Sequence, residues 1–423
     1  MSSSAAILGD IKVIDTDTHV SEPPDLWVSR VAKKWQRDVP HVEMHSNGHA
    51  HWRVGDRWLT PVGFYGQAGW DQYQPSRAVD LEDMDPAAWQ SGERLRRMDQ
   101  YGLYAQVLYP NIIGFEAPLF RDMGPELSVV CVRAYNDFIA EFASADPRRL
   151  IPVAMLPFWD QDASVAEMHR WRELGHTAVL FANKLQEVGL PRFHEAYWDP
   201  ILSTAQDLDI SLNFHIGFAN YREGMTSAVF GAAGISGLKS TGAPVGGKEG
   251  AHDAEDRIKK QAVEDEEFNP RGEVARLSVL PLTLCESIAQ TVTSGVCDRY
   301  PRLKFVFVES GFGYFPFVLE SLDWYWKNYG LARDGKMLPS DYFRRQCYGS
   351  FWFEKGTLPL LELYPDNFMF ETDFPHPTCL SPGECSAAEV PSVHIQKAFG
   401  HLPEDIARKA LCTNAAKLYQ LHL

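Results

Sequence analysis

Metal-binding residue types follow three short apolar runs that lie far apart in the chain, and this pattern restricts the possible folds most strongly. Asp17 and His19 follow the first run. His215 ends the second run, and Asp373 follows the third. Short apolar runs of this kind are typical of buried strands. Every strand of a closed parallel barrel brings its C-terminal end to the same rim, so such a barrel would gather these side chains in one pocket.

Strand-like and helix-like segments alternate along the chain, as an eight-unit barrel requires. The amphipathic stretches 126–145 and 281–297 have the pattern of helices that cover such a barrel. Eight strands are predicted, ending near His19, Pro110, Phe158, Phe181, His215, Glu309, Phe353 and Asp373. With 423 residues, of which 45% are hydrophobic, the chain can form one large core. The predicted fold class is therefore α/β, a (β/α)8 TIM-type barrel that forms a single domain over residues 1–423.

Two insertions interrupt the predicted barrel, one after strand one and the other after strand five. The first covers about residues 22–80 and contains a hairpin signal, SNG at 46–48, between two strand-like segments. An aromatic cluster follows the hairpin and is predicted to cap the pocket. His45, His49 and His51 are expected to face solvent, because they lie far in the sequence from the other candidate metal ligands.

The second insertion covers about residues 220–272. Its early part is rich in glycine and its later part is charged, without the spacing of a phosphate-binding loop. It is predicted to form a lid or an oligomer arm.

The spacing of Asp17 and His19 suits metal binding, because residues two apart on a strand share one face. Mixed oxygen and nitrogen ligands of this kind bind zinc, manganese or iron. The predicted ligands are Asp17, His19, His215 and Asp373, with Glu309 and His376 as further candidates. The predicted cofactor is a divalent metal, with zinc favoured over manganese or iron and one or two ions in the site.

These residues give the chain a resemblance to a known family. The chain resembles the amidohydrolase-related family that includes aminocarboxymuconate-semialdehyde decarboxylase, within the wider amidohydrolase superfamily. The resemblance spans nearly the whole chain, and it implies a barrel fold with a metal at its rim. It rests on the motifs DTDTH at 15–19 with Glu22-Pro23, RMDQYG at 97–102, FH at 214–215, TDFPH at 372–376 and NAAKLY at 414–419.

Glu309 marks a departure from that family. Its decarboxylase members typically carry a catalytic histidine at the end of strand six, the position that Glu309 occupies here. Glu309 and Asp373 are predicted as the catalytic residues, with either serving as a proton acceptor and Glu309 also as a general acid. Two alternatives stay open for Glu309, namely a ligand to a second metal and an anchor for His215.

Several activities are compatible with such a site, and hydrolysis is favoured among them. A metal-bound water could attack an amide or an activated carbon-carbon bond of a small aromatic or unsaturated molecule. The first alternative is decarboxylation of a small unsaturated or aromatic acid, and the second is oxidation by a dinuclear manganese or iron centre. A third alternative is a non-catalytic partner subunit that keeps a structural metal.

Aromatic and amide side chains near the predicted strand ends are candidates for contacting a flat, partly apolar substrate. These candidates are Tyr109, Asn111, Phe158 and Trp159. Arg77 and Arg222 lie in the two insertions and are candidates for binding a substrate carboxylate.

An excess of acidic residues limits the choice of partner. Lys and Arg total 40 against 56 Asp and Glu, and the net charge of -16 argues against nucleic acid or an anionic membrane. Seven scattered cysteines without C-x-x-C spacing are expected to be reduced thiols in a cytoplasmic protein. No leader sequence or membrane-spanning run is expected. A small-molecule substrate and a homo-oligomer are predicted, with a hetero-oligomer as the alternative and Trp324-Tyr325-Trp326 as a candidate contact.

Overall fold

The computed structural model describes residues 10–182, 185–218 and 269–423. Its strands in chain order are β1 Ile14–Val20, β2 His41–Met44, β3 Ala50–Val54, β4 Arg57–Pro61, β5 Ala105–Pro110, β6 Leu150–Pro152, β7 Ala154–Met155, β8 Ala178–Leu180, β9 Ser211–His215, β10 Phe305–Val308, β11 Cys347–Phe351 and β12 Phe368–Phe370.

Eight strand positions form a parallel barrel. The pairing order is β1-β5-β6 in one sheet and β7-β8-β9-β10-β11-β12 in another, and every pair is parallel. β6 and β7 are two parts of one barrel strand, separated by Val153, whose N–H donates to Leu108 O at 3.1 Å. A parallel bridge between Thr18 and Phe374 links β1 to the residues that follow β12. This arrangement confirms the predicted (β/α)8 fold.

The barrel strands are buried on both faces, because one face meets the barrel interior and the other meets the surrounding helices. β10 is typical, since its four residues, Phe305 to Val308, are each at most 1% exposed. Polar side chains concentrate at the C-terminal ends of the strands, where the candidate site lies.

Helices surround the barrel. In chain order, those in the described residues are α1 Leu26–Arg30, α2 Ser91–Tyr101, α3 Ile112–Phe115, α4 Ala117–Asp122, α5 Pro125–Ala143, α6 Gln161–Glu173, α7 Asp199–Asp207, α8 Pro270–Val279, α9 Cys285–Thr293, α10 Val296–Arg299, α11 Phe315–Asn328, α12 Pro339–Gln346, α13 Pro391–Phe399, α14 Glu404–Arg408 and α15 Asn414–Leu418. A π-helical turn, Lys409–Thr413, joins α14 to α15.

Two element boundaries predicted from the sequence are wrong. The sequence predicts that strand three ends near Phe158, whereas β7 ends at Met155. Pro157 has no N–H to donate to a neighbouring strand, so the ladder cannot extend through it. The helix predicted over 281–297 is instead divided into α9 and α10, because Gly295 adopts a left-handed φ of 80° that ends α9.

The first insertion contains an antiparallel sheet with the order β2-β3-β4. β2 and β3 pair across the turn at 46–48, and β4 adds a third strand. His51 on β3 is 7% exposed, donates from Nδ1 to Leu59 O at 2.9 Å and accepts from the Asn47 amide at 3.1 Å. The expectation that His51 faces solvent is therefore wrong, because β4 lies against it.

Most of the second predicted insertion lies outside the described residues, which resume at 269 and continue into α8. Within the part of the chain that the structure describes, no helix combines the length and apolar character needed to cross a membrane. All seven cysteines are free thiols.

Candidate metal centre

β1 and β9 bring two histidines and one carboxylate together at the C-terminal rim of the barrel. The Nε2 atoms of His19 and His215 are 3.0 Å apart. Asp17 Oδ1 lies 3.5 Å from His19 Nε2, and Asp17 Oδ2 lies 3.5 Å from His215 Nε2. Asp373, which follows β12, places a carboxylate oxygen 3.9 Å from His19 Nε2. The structure thus gathers the four predicted ligands, each at most 2% exposed.

Backbone carbonyls orient both imidazole rings. His19 Nδ1 donates to Pro110 O at 2.9 Å. His215 Nδ1 donates to Ile216 O at 2.7 Å. A carbonyl oxygen only accepts hydrogen bonds, so Nδ1 carries the proton in each ring, and burial lowers the pKa of both histidines, which favours neutral rings. The two Nε2 lone pairs then face each other, an arrangement that a bound cation stabilises.

The carboxylate of Asp17 also fits a cation. Both of its oxygens are buried, and neither has a hydrogen-bond partner among the described residues. Burial raises the pKa of Asp17 well above its usual range, and the charges of Asp373 and Asp15 raise it further. Holding such a carboxylate away from water is unfavourable unless a positive charge compensates it.

Three overlapping groups of side chains have ligand atoms that lie within 4.8 Å of one another. The groups are Asp17 with His19 and His215, His19 with Asp373 and His376, and Asp17 with Glu309 and Asp373. Imidazole nitrogens combined with carboxylate oxygens are ligands that manganese, iron and zinc all accept. The residues present therefore fit a divalent metal.

Glu309 and Asp373 adopt left-handed backbone conformations, which are uncommon for residues other than glycine. Their φ angles are 57° and 58°. The N–H of Asp373 donates to Asp17 O at 3.0 Å. The N–H of Glu309 donates to Ser350 Oγ at 2.9 Å and approaches Glu371 Oε2 at 3.3 Å. These hydrogen bonds stabilise a strained backbone of the kind that clusters at functional sites.

Glu309 is the most accessible of the three carboxylates in these ligand groups. Its side chain is 13% exposed, compared with 0% for Asp17 and 1% for Asp373. Its Oε2 atom lies 3.9 Å from His215 Nε2. Burial raises the pKa of Glu309 well above its ordinary value, and the charges of neighbouring carboxylates, Asp373 first, raise it further. A carboxyl group in this position can hold a proton beside the metal centre.

His376 is engaged by the carboxylate of Asp373. Its Nδ1 lies 2.8 Å from Asp373 Oδ1, and its ring stacks on that of His19 with the centroids 3.9 Å apart. Its Nε2 donates to Asn111 Oδ1 at 2.9 Å. Glu22 in turn accepts the backbone N–H of Asn111 at 3.0 Å. Asn111, which the sequence predicts as a substrate contact, therefore holds the ring of His376 beside Asp373.

A buried polar network joins β1 to the residues after β12. Asp15 accepts the N–H of Thr372 at 2.8 Å and the Thr372 hydroxyl at 2.6 Å. Asp15 also accepts the Gln106 amide at 2.9 Å. Arg94, which is fully buried, donates to His19 O at 2.5 Å and to Gln106 Oε1 at 3.3 Å. This network fixes the spacing between the two segments that carry metal ligands.

The other predicted substrate contacts take different positions. Tyr109 donates to Asn213 Oδ1 at 2.9 Å, and its ring centroid lies 5.5 Å from that of His215. Phe158 packs on Trp159, with the ring centroids 5.0 Å apart. Tyr109 therefore borders the centre, whereas no described contact joins Phe158 or Trp159 to it.

Arg77 is the arginine candidate that the described residues include. Arg77 is 8% exposed, and its Nε donates to Pro75 O at 3.3 Å. Its charge is also one of the influences that lower the pKa of His51 in the cap to about 4, after the larger effect of burial. Arg222 lies outside the described residues.

Two aromatic residues at the centre are missing from the predicted site. The ring centroid of Phe115 lies 5.7 Å from that of His19 and 5.6 Å from that of His215. Tyr65, from the first insertion, stacks on Phe115 at 5.6 Å with an interplanar angle of 6°. Phe115 lies shortly after the end of β5, and this position beyond a barrel strand could have indicated that it borders the site. Tyr65 belongs to the aromatic cluster that the sequence predicts to cap the pocket.

Comparison with known proteins identifies the family. The sequence profile of the amidohydrolase family matches residues 14–421, and the chain belongs to this family. The resemblance predicted from the motifs is therefore confirmed, and the chain is an enzyme of the amidohydrolase superfamily.

Individual relatives share the fold at low sequence identity. γ-Resorcylate decarboxylase from Polaromonas sp. (strain JS666 / ATCC BAA-500) is 26% identical over 170 residues, which cover 39% of this chain and 48% of that protein, so the match spans about half of this curated relative. An amidohydrolase structure from Mycobacterium avium subsp. paratuberculosis K-10 is 19% identical, with a TM-score of 0.68 over 97% of this chain and 99% of that chain. A structure of 5-carboxyvanillate decarboxylase from Novosphingobium aromaticivorans DSM 12444 with bound manganese is 16% identical, with a TM-score of 0.59 over 98% of each chain.

These relatives overturn one interpretation made from the sequence and leave another without support. The two whose names state a specific reaction are decarboxylases, so the prediction that hydrolysis is the main reaction is wrong. The preference for zinc gains no support, because the related structure holds manganese. The fit of the site to a divalent metal stands.

Proposed function

We propose that the chain is a metal-dependent decarboxylase of a small aromatic acid that carries a ring hydroxyl. The observation that carries the proposal is the position of Glu309, a protonatable carboxyl on the accessible side of the centre, 3.9 Å from His215 Nε2. The relatives support it, because γ-resorcylate and 5-carboxyvanillate are both hydroxylated aromatic acids.

Manganese is the ion that we propose for the site, held by Asp17, His19, His215 and Asp373. When bound, a divalent ion supplies positive charge that binds the carboxylate and an adjacent oxygen of the acid. The hydrogen bonds of His19 and His215 to backbone carbonyls keep their Nε2 atoms turned toward this position.

Glu309 delivers a proton to the ring carbon that bears the carboxylate. A carbon-hydrogen bond forms with an electron pair of the ring, and Glu309 becomes a carboxylate. The bond between the ring and the carboxylate group then breaks, its electron pair restores the aromatic ring, and carbon dioxide leaves. A proton from solvent returns Glu309 to its acid form, so the acid anion and one proton give the arene and carbon dioxide.

The surroundings of Glu309 favour a proton donor over a proton acceptor. In the site without a metal ion, burial and neighbouring negative charge raise the pKa of Glu309, so its protonated form persists there at a higher pH than for an ordinary glutamate. Asp373, the other predicted catalytic residue, is engaged by His376 at 2.8 Å and serves in this proposal as a metal ligand.

Aromatic side chains around the centre support an aromatic substrate. Phe115 lies within 6 Å of the rings of both metal-binding histidines, and Tyr65 stacks on it. Rings of this kind pack favourably against flat aromatic molecules. We also propose a cytoplasmic location, because all seven cysteines are free thiols and reducing compartments preserve such thiols.

The test is a carbon dioxide release assay on the manganese-loaded protein, with γ-resorcylate and 5-carboxyvanillate as probes. We expect release that EDTA abolishes and that Glu309→Gln lowers by roughly 10²- to 10⁴-fold while manganese binding persists. The control variant Glu389→Gln changes a carboxyl that pairs with Lys397 on the surface, and it should leave the rate unchanged. Undiminished release by Glu309→Gln, or no release from either acid by fully loaded protein, contradicts the proposal.

A further inference from the structure

A cavity of about 250 Å³ lies beside the metal centre, between three segments that follow barrel strands. Its walls come from residues 67–74 of the first insertion, from α8 and from residues 377–386 after β12. Tyr73 and Val274 border its opening to solvent, and they are 75% and 64% exposed. The proposed metal ligands are not among its lining residues, so the cavity is separate from the centre.

One wall of the cavity continues from the segment that carries residues of the centre. Pro377 and Cys379 line the cavity, and they follow His376 directly in the chain. The N–H of Cys379 donates to His376 O at 3.2 Å. The first insertion is joined to the same segment, because the N–H of Gln67 donates to Pro375 O at 2.8 Å. These hydrogen bonds hold the cavity at a fixed position next to the metal centre.

Aromatic rings and side-chain amides line the cavity. Trp70 and Tyr73 supply the rings, and Gln72 and Gln74 supply amides. Ser76 fixes two of these side chains, since its hydroxyl accepts from Trp70 Nε1 at 3.2 Å and donates to Gln72 Oε1 at 2.8 Å. Rings of this kind pack favourably against flat aromatic molecules, and an amide can donate to or accept from a hydroxyl group. The lining is therefore suited to an aromatic molecule that carries hydroxyl groups.

The charges around the cavity favour a neutral ligand. The charged side chain in its lining is Glu273, and this carboxylate pairs with Arg276 on the same helix at 2.6 Å. No lysine, arginine or histidine is present among the described residues that line it. A ligand carboxylate would lose water here without gaining a positive partner, which is unfavourable. A cationic ligand would have to compete with Arg276 for Glu273.

We infer that this cavity is a binding site for a neutral aromatic molecule with a single ring and one or two hydroxyl groups. The size agrees, because an apolar cavity of about 150 Å³ can hold benzene, and this cavity of about 250 Å³ leaves room for ring substituents. The arene that the proposed decarboxylation releases belongs to this class. Identifying the natural ligand as that product rests on the proposed function, whereas the class of ligand rests on the cavity alone.

The test uses Cys385, which lines the cavity, as a reporter in the manganese-loaded full chain. Iodoacetamide alkylates the thiol by forming a sulfur-carbon bond, while iodide leaves and the thiol proton passes to solvent. Mass spectrometry of peptides measures the alkylation rate at each cysteine. The neutral probe is resorcinol, and the anionic probe is benzoate, which lacks the ring hydroxyl of the proposed substrates.

Resorcinol should protect Cys385, and benzoate should not. With a dissociation constant of about 0.1–1 mM, as expected for so small a ligand, about 5 mM resorcinol should lower the alkylation rate at Cys385 by at least about fivefold. The same concentration of benzoate should leave that rate unchanged. Cys285 on α9 is the internal control, because it is partly exposed and lies outside the cavity, and its rate should stay the same with either probe.

Two substitutions at exposed positions test the ring and the charge separately. Tyr73→Ala removes a ring from the wall and should raise the resorcinol concentration needed for protection by roughly 3- to 10-fold. Val274→Lys places a cation in the opposite wall and should allow benzoate to protect Cys385. The matched control is Val279→Lys, which lies on the same helix, is 56% exposed and does not line the cavity, so benzoate should remain without effect.

The inference is overturned if resorcinol leaves the Cys385 rate unchanged, if benzoate protects the wild type equally well, or if Cys285 is protected to the same degree. Protection that persists unchanged in Tyr73→Ala, or benzoate that fails to protect Val274→Lys, also contradicts it. Alkylation is measured without turnover. A chain that binds resorcinol but releases no carbon dioxide therefore contradicts the proposed function alone, and release without protection of Cys385 contradicts this inference alone.

Discussion

Replacing Asp17 with asparagine is predicted to separate metal binding from folding stability. The carboxylate is fully buried, and burial together with Asp373 and Asp15 raises its pKa well above the usual range. A raised pKa in the folded state means that the ionised form opposes folding at neutral pH. Asparagine keeps the shape, removes the charge, and offers an amide that can donate to the Nε2 lone pair of His215, 3.5 Å from Asp17 Oδ2. In EDTA, Asp17→Asn should therefore be at least as stable as the wild type.

Bound manganese should make the wild type more stable than Asp17→Asn, which is the reverse of the order expected in EDTA. At a manganese concentration 100 times the wild-type dissociation constant, binding adds about 2.7 kcal/mol to the free energy of unfolding. If losing the Asp17 carboxylate raises that constant about 100-fold, the gain for the variant falls to about 0.4 kcal/mol at the same concentration. The manganese-induced stabilisation of the two proteins should thus differ by about 2.3 kcal/mol.

Urea unfolding with either EDTA or manganese measures all four free energies. The control is Asp160→Asn, at the N-cap of α6, where the side chain accepts the Ala163 N–H at 3.0 Å and asparagine caps equally well. This control should keep the full manganese response. A full response in Asp17→Asn, or a variant much less stable than the wild type in EDTA, would refute the reasoning.

Further predictions concern pH, the support of the catalytic carboxyl and the buried network. Between pH 8 and 6.5 in EDTA, Asp15, whose pKa burial raises to about 7, should contribute roughly 1 kcal/mol of stability that is gained on acidification, because its folded-state carboxyl takes up a proton that the unfolded state does not bind. Asp15→Asn lacks this contribution, so urea unfolding of the wild type and of Asp15→Asn should differ in pH response by that amount, and equal responses of the two proteins would contradict this. Ser350→Ala removes the hydroxyl that accepts the Glu309 N–H, and it should lower kcat roughly tenfold with KM unchanged. Ser350→Thr keeps a hydroxyl and should recover part of the loss. Equal kcat values in all three proteins would argue against a role of Ser350 in positioning Glu309. Arg94→Met leaves buried acceptors unpaired and should destabilise the fold by about 2–4 kcal/mol in urea unfolding, whereas Arg96→Met on the same helix is an exposed control that should change little.

The sequence predicts the fold well because the information is local. The predicted strand ends at Pro110 and His215 coincide with the ends of β5 and β9. Glu309 and Asp373 fall just beyond β10 and β12, because their left-handed backbones leave the extended conformation. Apolar runs and the polar residues at their ends can be recognised in the sequence, whereas a backbone angle imposed by hydrogen bonds to residues distant in the chain cannot.

The support around the candidate site could not be predicted in the same way. Ser350 and Glu371 sit in or beside apolar strands and acquire a role only because the fold brings them to the Glu309 N–H. The contact between His376 and Asn111 likewise joins residues far apart in the chain. The reaction could not be predicted from the sequence for another reason. One set of metal ligands can serve either hydrolysis or decarboxylation, and the fold does not determine which of the two occurs.

The most direct test of the proposed decarboxylation is NMR analysis of the product that the manganese-loaded chain forms from γ-resorcylate or 5-carboxyvanillate in deuterium oxide. The proposal predicts an arene with one deuteron at the carbon that carried the carboxylate, in an amount equal to the carbon dioxide released. Glu309→Gln should form little of this product. A product that keeps its carboxylate, or an arene that Glu309→Gln forms at the wild-type rate, would contradict the assignment of Glu309 as the proton donor.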